Sequence, residues 1–136
     1  VQAKSLILQS PIGVPKELQN HFIRGYFDGD GCVAFYPDYK SFSYGIMGTP
    51  ELLSYIKDCL GEEFKNIRVY KTKSKAYQID IKGRNKIEIF HNYIYKNKSI
   101  FLDRKYQKSY DMIDHLNLHN TECSQTSKLF ANLFKN

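Results

Sequence analysis

The sequence predicts an α+β domain in the element order αββαββα, and three observations predict it. Apolar residues recur at helical spacing around 15–28, 52–60 and 87–94, and strand-like stretches occur in pairs around short polar turns between those helices. The 136 residues are the length of one domain rather than several. With 42% hydrophobic and 15% aromatic residues the chain can bury a real core, which excludes an intrinsically disordered protein.

The elements follow in order. Gly13 and Pro15 open a helix over Pro15 to Asp28, with Pro15 suited to the first turn and Glu17 adding favourable charge there. Cys32 to Tyr36 is a short β-rich run, Pro37, Asp38 and Lys40 mark a turn, and Phe42, Tyr44 and Ile46 alternate with Ser41, Ser43 and Gly45, which reads as a hairpin. Thr49 is a good N-cap and Pro50 fits the first helical position. Leu52, Leu53, Ile56 and Leu60 recur at helical spacing until Gly61 ends the element. Ile67 to Thr72 and Ala76 to Lys82 are a second strand pair around Lys73-Ser74-Lys75, and Ile87, Phe90, His91 and Ile94 mark a helix. Asp103 can cap a further helix carrying Tyr106, Tyr110, Met112, Ile113 and Leu116. Residues 1–14 read as a linker-like lead-in, 15–116 as the domain, and 117–136 as a tail with a short helix over Ser127 to Phe134.

Several classes are excluded or disfavoured. No apolar run approaches the roughly 18 residues of a membrane span. The start VQAKSLILQSP lacks the apolar core and cleavage site of a signal peptide, so an intracellular protein is expected. Cys32, Cys59 and Cys123 are odd in number and contain no CxxC, which disfavours a disulfide framework and a zinc ribbon. The net charge of +6 and pI near 9.1 favour a polyanionic partner, since neutralising phosphates with basic side chains releases counterions.

The densest chemistry lies in His21 to Gly31. Leu18, Phe22 and Tyr26 form one apolar stripe, while Ile23 and Phe27 widen it, so this helix is expected to be buried on two sides. Gly25 inside it costs about 1 kcal/mol relative to Ala, which makes sense where another backbone approaches closely. Asp28 and Asp30 lie at the helix C-terminal end, where the macrodipole disfavours negative charge, so a cation must compensate. Gly29 and Gly31 flank Asp30, which lets a main-chain carbonyl and a carboxylate converge on one hard cation, although a bare DGDG is also an ordinary polar turn.

In that context Ile23 to Gly31, IRGYFDGDG, resembles the signature of the LAGLIDADG homing endonucleases, and the likeness extends to the αββαββα order over about 15–116. The resemblance implies a four-stranded antiparallel, saddle-shaped sheet backed by helices and laid over double-stranded DNA. It implies a motif helix packed on a second motif helix, with Gly25, Arg24 and Asp28 at that interface. It also implies Mg²⁺, with Mn²⁺ as a substitute, bound by Asp30 and the carbonyl of Gly29 near the scissile phosphates. Phe101-Leu102-Asp103-Arg104-Lys105 matches the segment where cleaving members carry a lysine facing the active site, which makes Lys105 the second candidate catalytic residue beside Asp30; a solvated basic face is the plainer alternative. Two departures stand out. Ile46-Met47-Gly48-Thr49 lacks the polar side chains that organise water at the strand-helix junction, and Arg24 replaces a small residue beside the motif glycine.

Alternation assigns Val33, Phe35, Phe42, Tyr44, Ile67, Val69, Tyr77, Ile79 and Ile81 to the core. Ala34, Tyr36, Ser41, Ser43, Arg68, Tyr70, Thr72, Gln78, Asp80 and Lys82 go to the opposite face. On that face Arg68 suits guanine and Gln78 adenine, while Lys40, Lys71, Lys73 and Lys75 at turns suit phosphates. Asp111, His115, His119 and Cys123 at four-residue intervals are a weak zinc pattern, His119-Asn120-Thr121 weakly resembles an intein splice junction, and His21 and His91 fit ordinary amphipathic helices.

The leading expectation is a site-specific double-strand DNA endonuclease that hydrolyses phosphodiesters across the minor groove and leaves short 3′ overhangs. One motif per chain requires a homodimer or an upstream second LAGLIDADG half. The alternatives are a cleavage-deficient RNA maturase acting on intron RNA, a DNA-binding regulator of the same fold, and a basic structural protein with a fortuitous motif.

Overall fold

The computed structural model describes Pro11 and residues 13–117. Most of the lead-in and all of the expected helix over Ser127 to Phe134 lie outside the described residues, as do His119 and Cys123. The order is α1 (Lys16–Asp30), β1 (Gly31–Tyr36), β2 (Ser41–Gly48), α2 (Pro50–Leu60), β3 (Tyr70–Lys71), β4 (Tyr77–Lys82) and α3 (Arg84–Tyr95), followed by α4 over 103–117. The strands form one antiparallel sheet in the order β1-β2-β4-β3. This is the α+β architecture expected from the sequence.

Side-chain alternation sets the two faces of the sheet. Val33, Tyr44, Ile46, Ile79 and Ile81 are buried, and Phe35, Phe42, Ile67, Val69 and Tyr77 pack against the same core. Beneath them Phe27 of α1, Tyr44 of β2 and Phe90 of α3 meet with ring centroids 4.7–5.6 Å apart. Full burial of Ile23, Phe27 and Phe90 stabilises the fold by roughly 2 kcal/mol each. α1 runs two residues further than expected, to Asp30, and passes without a loop into β1 at Gly31. A Cβ there would lie 2.1 Å from the Phe27 ring and 2.7 Å from its carbonyl oxygen, so only glycine permits the change of direction.

α2 begins as the sequence predicts: the Thr49 side chain accepts a hydrogen bond from the Leu52 amide at 3.2 Å, with Pro50 in the first turn. The third strand is much shorter than Ile67 to Thr72. The Ile67 amide bonds to the Phe64 carbonyl at 3.2 Å and the Ile67 carbonyl accepts from Lys57 Nζ at 2.7 Å. Those groups are thus satisfied off the ladder, and pairing starts only at Tyr70.

His91 belongs to a buried polar chain. Its Nδ1 meets Ser109 Oγ at 2.6 Å, and Ser109 also hydrogen-bonds the Tyr44 hydroxyl. Burial, and secondarily the charge of Lys98, pushes the His91 imidazole down to about 4 from 6.5. The fold therefore favours the neutral ring. Its contribution is fully present above pH 6.5 and is lost as pH falls towards 4, because the unfolded chain binds the proton first. Between pH 6.5 and 5 the wild type is expected to lose about 1–2 kcal/mol through this group, allowing for its partial solvent contact. Thermal unfolding across that window, with His91→Gln as the flat control, checks it.

Candidate nucleic-acid interface and acidic helix end

The motif helix α1 divides its residues between two sides. Ile23, Arg24 and Phe27 are buried in the chain's own body. Gly25 and Gly29, four residues apart and therefore on one stripe, are exposed, and a Cβ built at either meets nothing within 4 Å. The close approach that would explain an unfavourable helical glycine is thus not made by any described part of this chain.

Arg24 and Asp28 do not lie on that free stripe, and both make contacts within the chain itself. Arg24 is 3% exposed: Nη1 donates to the Ile94 carbonyl at 2.8 Å, Nε to the Ile100 carbonyl at 3.0 Å, and Nη2 lies 2.7 Å from His21 Nδ1. A guanidinium offers five donors, and here they tie α1 to the end of α3 and to the loop before α4. The large side chain in a small-residue position turns inward, so it does not stand between packed helices.

Asp28 and Lys105 form a reciprocal clamp between the end of α1 and the start of α4. Asp28 Oδ2 accepts from the Leu102 amide at 2.9 Å. Lys105 Nζ donates to the carbonyls of Phe27 and Asp28 at 2.8 Å each and of Gly31 at 2.6 Å, and lies 5.3 Å from the centre of the Phe27 ring. The last turn of α1 has no basic residue of its own, so α4 supplies the cation that the macrodipole requires. Desolvation pulls the Lys105 ammonium below its ordinary range, against the opposing charge of Asp28. All three of its donors point at main-chain oxygens.

Asp30, the last residue of α1, is exposed, and among the described residues its carboxylate has no hydrogen-bond or ion-pair partner. Lys105 takes the carbonyls of residues 27, 28 and 31 and not that of Gly29. One chain therefore offers a carboxylate and a carbonyl, both hard oxygen donors suited to Mg²⁺. No group of three or more His, Cys, Asp or Glu converges among the described residues. Asp111 instead accepts from Gln107, and the His115 ring packs at a tilt against Phe35 and Phe42, which leaves the zinc pattern without convergence among the described residues.

Tyr26 fills the strand-helix junction beside Asp30. Its hydroxyl donates to the Met47 carbonyl, and a Cβ at Gly48 would lie 2.8 Å from that oxygen. Burial and, next, the Asp30 charge push the phenol up to about 12. The missing side chain at Gly48 is thus explained from the other side of the contact. Gly48→Ala is expected to cost about 1–3 kcal/mol, and clearly less in a Tyr26→Phe background, because the clash is with the hydroxyl alone. Urea unfolding of the two singles and the double measures the coupling.

The polar face of the sheet carries most of the other candidates. In β1 and β2 the outward residues are the small Cys32, Ala34, Ser43 and Gly45 and, opposite Gln78, the larger Met47, with exposed Tyr36 and Ser41 at one end. Gln78, Asp80 and Lys82 line β4, and Tyr70 stands opposite Gln78. Arg68 and Thr72 fall outside the ladder. Arg68 lines a cavity of about 410 Å³ with Tyr70, Asp80, Lys82 and Lys86. Thr72 closes the turn, its amide donating to the Ala76 carbonyl at 2.7 Å, with exposed Lys73 and Lys75 at the tip. Exposed Lys71 pairs with Tyr77, whose ring faces the core, and so lies at the sheet edge rather than in its polar face. Lys40 adopts a left-handed conformation after the first hairpin turn and lines a second cleft with Ser41, Ser43, Lys82 and Arg84, three cations and no acid. The sequence reading did not nominate Arg84 or Lys86: they sit in the first turn of α3, and only the fold brings them beside β4.

A LAGLIDADG-like domain matches residues 17–95. The chain belongs to the LAGLIDADG-like family. Two solved structures of the homing endonuclease I-CvuI resemble it in fold. One, in complex with the I-CreI target in 2 mM Mg with the DNA not cleaved, is 16% identical with a TM-score of 0.55 over 73% of this chain and 66% of that one. The other, bound to its own target in 2 mM Ca, is 18% identical with a TM-score of 0.57 over 79% of this chain and 71% of that one. No curated protein sequence matches the chain. This LAGLIDADG-like chain thus pairs the family's motif helix with a four-stranded sheet, in a body that spans about two thirds of the length of its structural neighbours.

Proposed function

We propose that this LAGLIDADG-like chain is one half of a site-specific DNA endonuclease that cleaves both strands across the minor groove with a divalent cation, Mg²⁺ or Mn²⁺. The observation that carries the reading is Asp30: an exposed, unpartnered carboxylate among the described residues, at a helix end where it lowers stability, next to a free stripe of Gly25 and Gly29. When bound, the cation would activate the attacking water and stabilise the leaving 3′ oxygen. Asp30 and the Gly29 carbonyl would hold it. The Lys105 and Asp28 clamp would keep the end of α1 fixed so that the carboxylate meets the phosphate in one geometry. The glycine stripe would admit a second motif helix, from another copy or from an upstream half, and that helix would bring the missing acidic oxygens. Lys40, Lys71, Lys73 and Lys75 would hold phosphates while the sheet face reads base edges.

The test is a library of randomised duplexes incubated with the protein and Mg²⁺, with EDTA as control, followed by sequencing of cut ends. Paired nicks with short 3′ overhangs, abolished by EDTA, are expected. Gly48, with its place taken by Tyr26, favours a second reading, a maturase or regulator that binds without cutting. Salt-dependent duplex or intron RNA binding with no nicking in Mg²⁺ or Mn²⁺ would sink the nuclease and leave that second reading. Light scattering separates the assemblies: a homodimer is expected on target DNA if the second helix comes from another copy.

A further inference from the structure

The sheet face that the proposed function lays on DNA is basic at its margins, yet its floor holds a carboxylate. Asp80 faces outward between buried Ile79 and Ile81. Its Oδ2 accepts from the Tyr70 hydroxyl at 2.6 Å and its Oδ1 from Gln78 Nε2 at 2.7 Å. A carboxylate can only accept, so the Gln78 atom facing it is the amide nitrogen. Arg68, Lys82 and Lys86 line the same cavity, but among the described residues none forms an ion pair with Asp80. Two neutral donors orient its charge.

The neighbours keep this acceptor open. Asp80 stands opposite Gly45, and beyond it Cys32, while the next row is Ala34, Ser43 and Lys82. A Cβ on Gly45 would lie 3.2 Å from Gln78 Nε2 and 3.6 Å from Asp80 Oδ1. One Gln78 N–H is spent on Asp80, which orients the amide and leaves its second N–H and its carbonyl oxygen outside that bond. Beyond these bonds Asp80 keeps lone pairs with no donor of their own in the group, and that acceptor distinguishes this place on the face.

We propose that Asp80, held by Tyr70 and Gln78, is a specificity-determining residue that selects a base pair presenting cytosine's amino group at one place in the major groove. The inference rests on the DNA-binding part of the proposed function and is independent of cleavage. Cytosine N4 donates to the carboxylate. Guanine and thymine set acceptors, O6 with N7 and O4 respectively, against it, and adenine offers an amino group beside an opposing N7. The same charge repels phosphates, so it lowers affinity for DNA in general while raising discrimination.

The experiment is binding selection from randomised duplexes in EDTA, followed by anisotropy titration of single-position variants of the selected site. Wild type, Asp80→Asn, Tyr70→Phe and the turn variant Lys73→Ala are compared, each first checked by thermal unfolding. In the wild type, cytosine is expected over guanine by about 10- to 100-fold at one position per half-site. Asp80→Asn shifts that position towards adenine or flattens it and leaves the others unchanged, while binding to random duplex tightens a few-fold. Tyr70→Phe, which frees the carboxylate without removing it, blurs the same position alone. Lys73→Ala weakens all sites equally. Specific binding with a base profile unchanged in Asp80→Asn and Tyr70→Phe overturns this inference and spares the proposed function. Absence of salt-sensitive duplex binding overturns both.

Discussion

Lys105→Met lowers the midpoint of thermal unfolding by about 10–20 °C. Methionine keeps the length of the stem and its contact with Phe27, but it leaves the carbonyls of Phe27, Asp28 and Gly31 without their donor. Each hydrogen bond to a charged group contributes about 1.5–3 kcal/mol, offset in part by the ammonium's own desolvation, so a net loss of about 2–4 kcal/mol follows. For a body of this size that converts to the stated shift. Lys105→Arg does not restore it, because a planar fork cannot aim three donors at three converging carbonyls. Lys108→Met, exposed on the same helix with its ammonium 5.7 Å from the centre of the Tyr36 ring, is the control and is expected to shift the midpoint by only a few degrees. Differential scanning calorimetry of the three variants decides: a midpoint unchanged in Lys105→Met would mean that the clamp does not hold the end of α1.

Asp30→Asn has the opposite profile. Under the proposed function, cleavage by the assembled protein falls on the order of 10³-fold, since the carboxylate would supply several kcal/mol of transition-state stabilisation through the cation it would help to hold. Stability does not fall. A negative charge at a helix C-terminus costs about 0.3–1 kcal/mol, and asparagine removes it, so the unfolding midpoint stays or rises by a few degrees. Binding to the selected duplex is kept. Single-turnover nicking, anisotropy and calorimetry on one preparation check the three parts together. A variant that cuts at the wild-type rate would remove Asp30 from the chemistry, and one that also unfolds early would make it structural.

Much of the chain was legible from local pattern. Alternation found both faces of the sheet from Val33, Phe35, Tyr44, Ile79 and Ile81, because a strand's period of two is written in consecutive residues. Thr49 with Pro50 announced α2, since capping is a three-residue event. The acid-rich end of the motif helix was also visible, together with its need for a cation. The failures have one cause. Ile67 to Val69 looked like strand, but Lys57, ten residues earlier in sequence, holds the Ile67 carbonyl. Arg24's carbonyl partners lie 70 and 76 residues away, beyond the reach of any helical pattern. Gln78 gives one of its two N–H donors to Asp80, a side-chain contact that the strand alternation does not show.

By itself, then, the sequence determined the element order, the core face of each strand, and Asp30 as the exposed acid, because these depend on spacing along a few turns or strands. Which cation answers the end of α1, where Arg24 turns, and how the polar face is charged were decided only in three dimensions. The compensating cation of α1 proved to be Lys105 of α4, some 77 residues on. Hydrogen bonds saturate and charges act over a few ångströms, so a side chain's role depends on which donors and acceptors the fold brings to it, and that choice is not written in its neighbours along the chain.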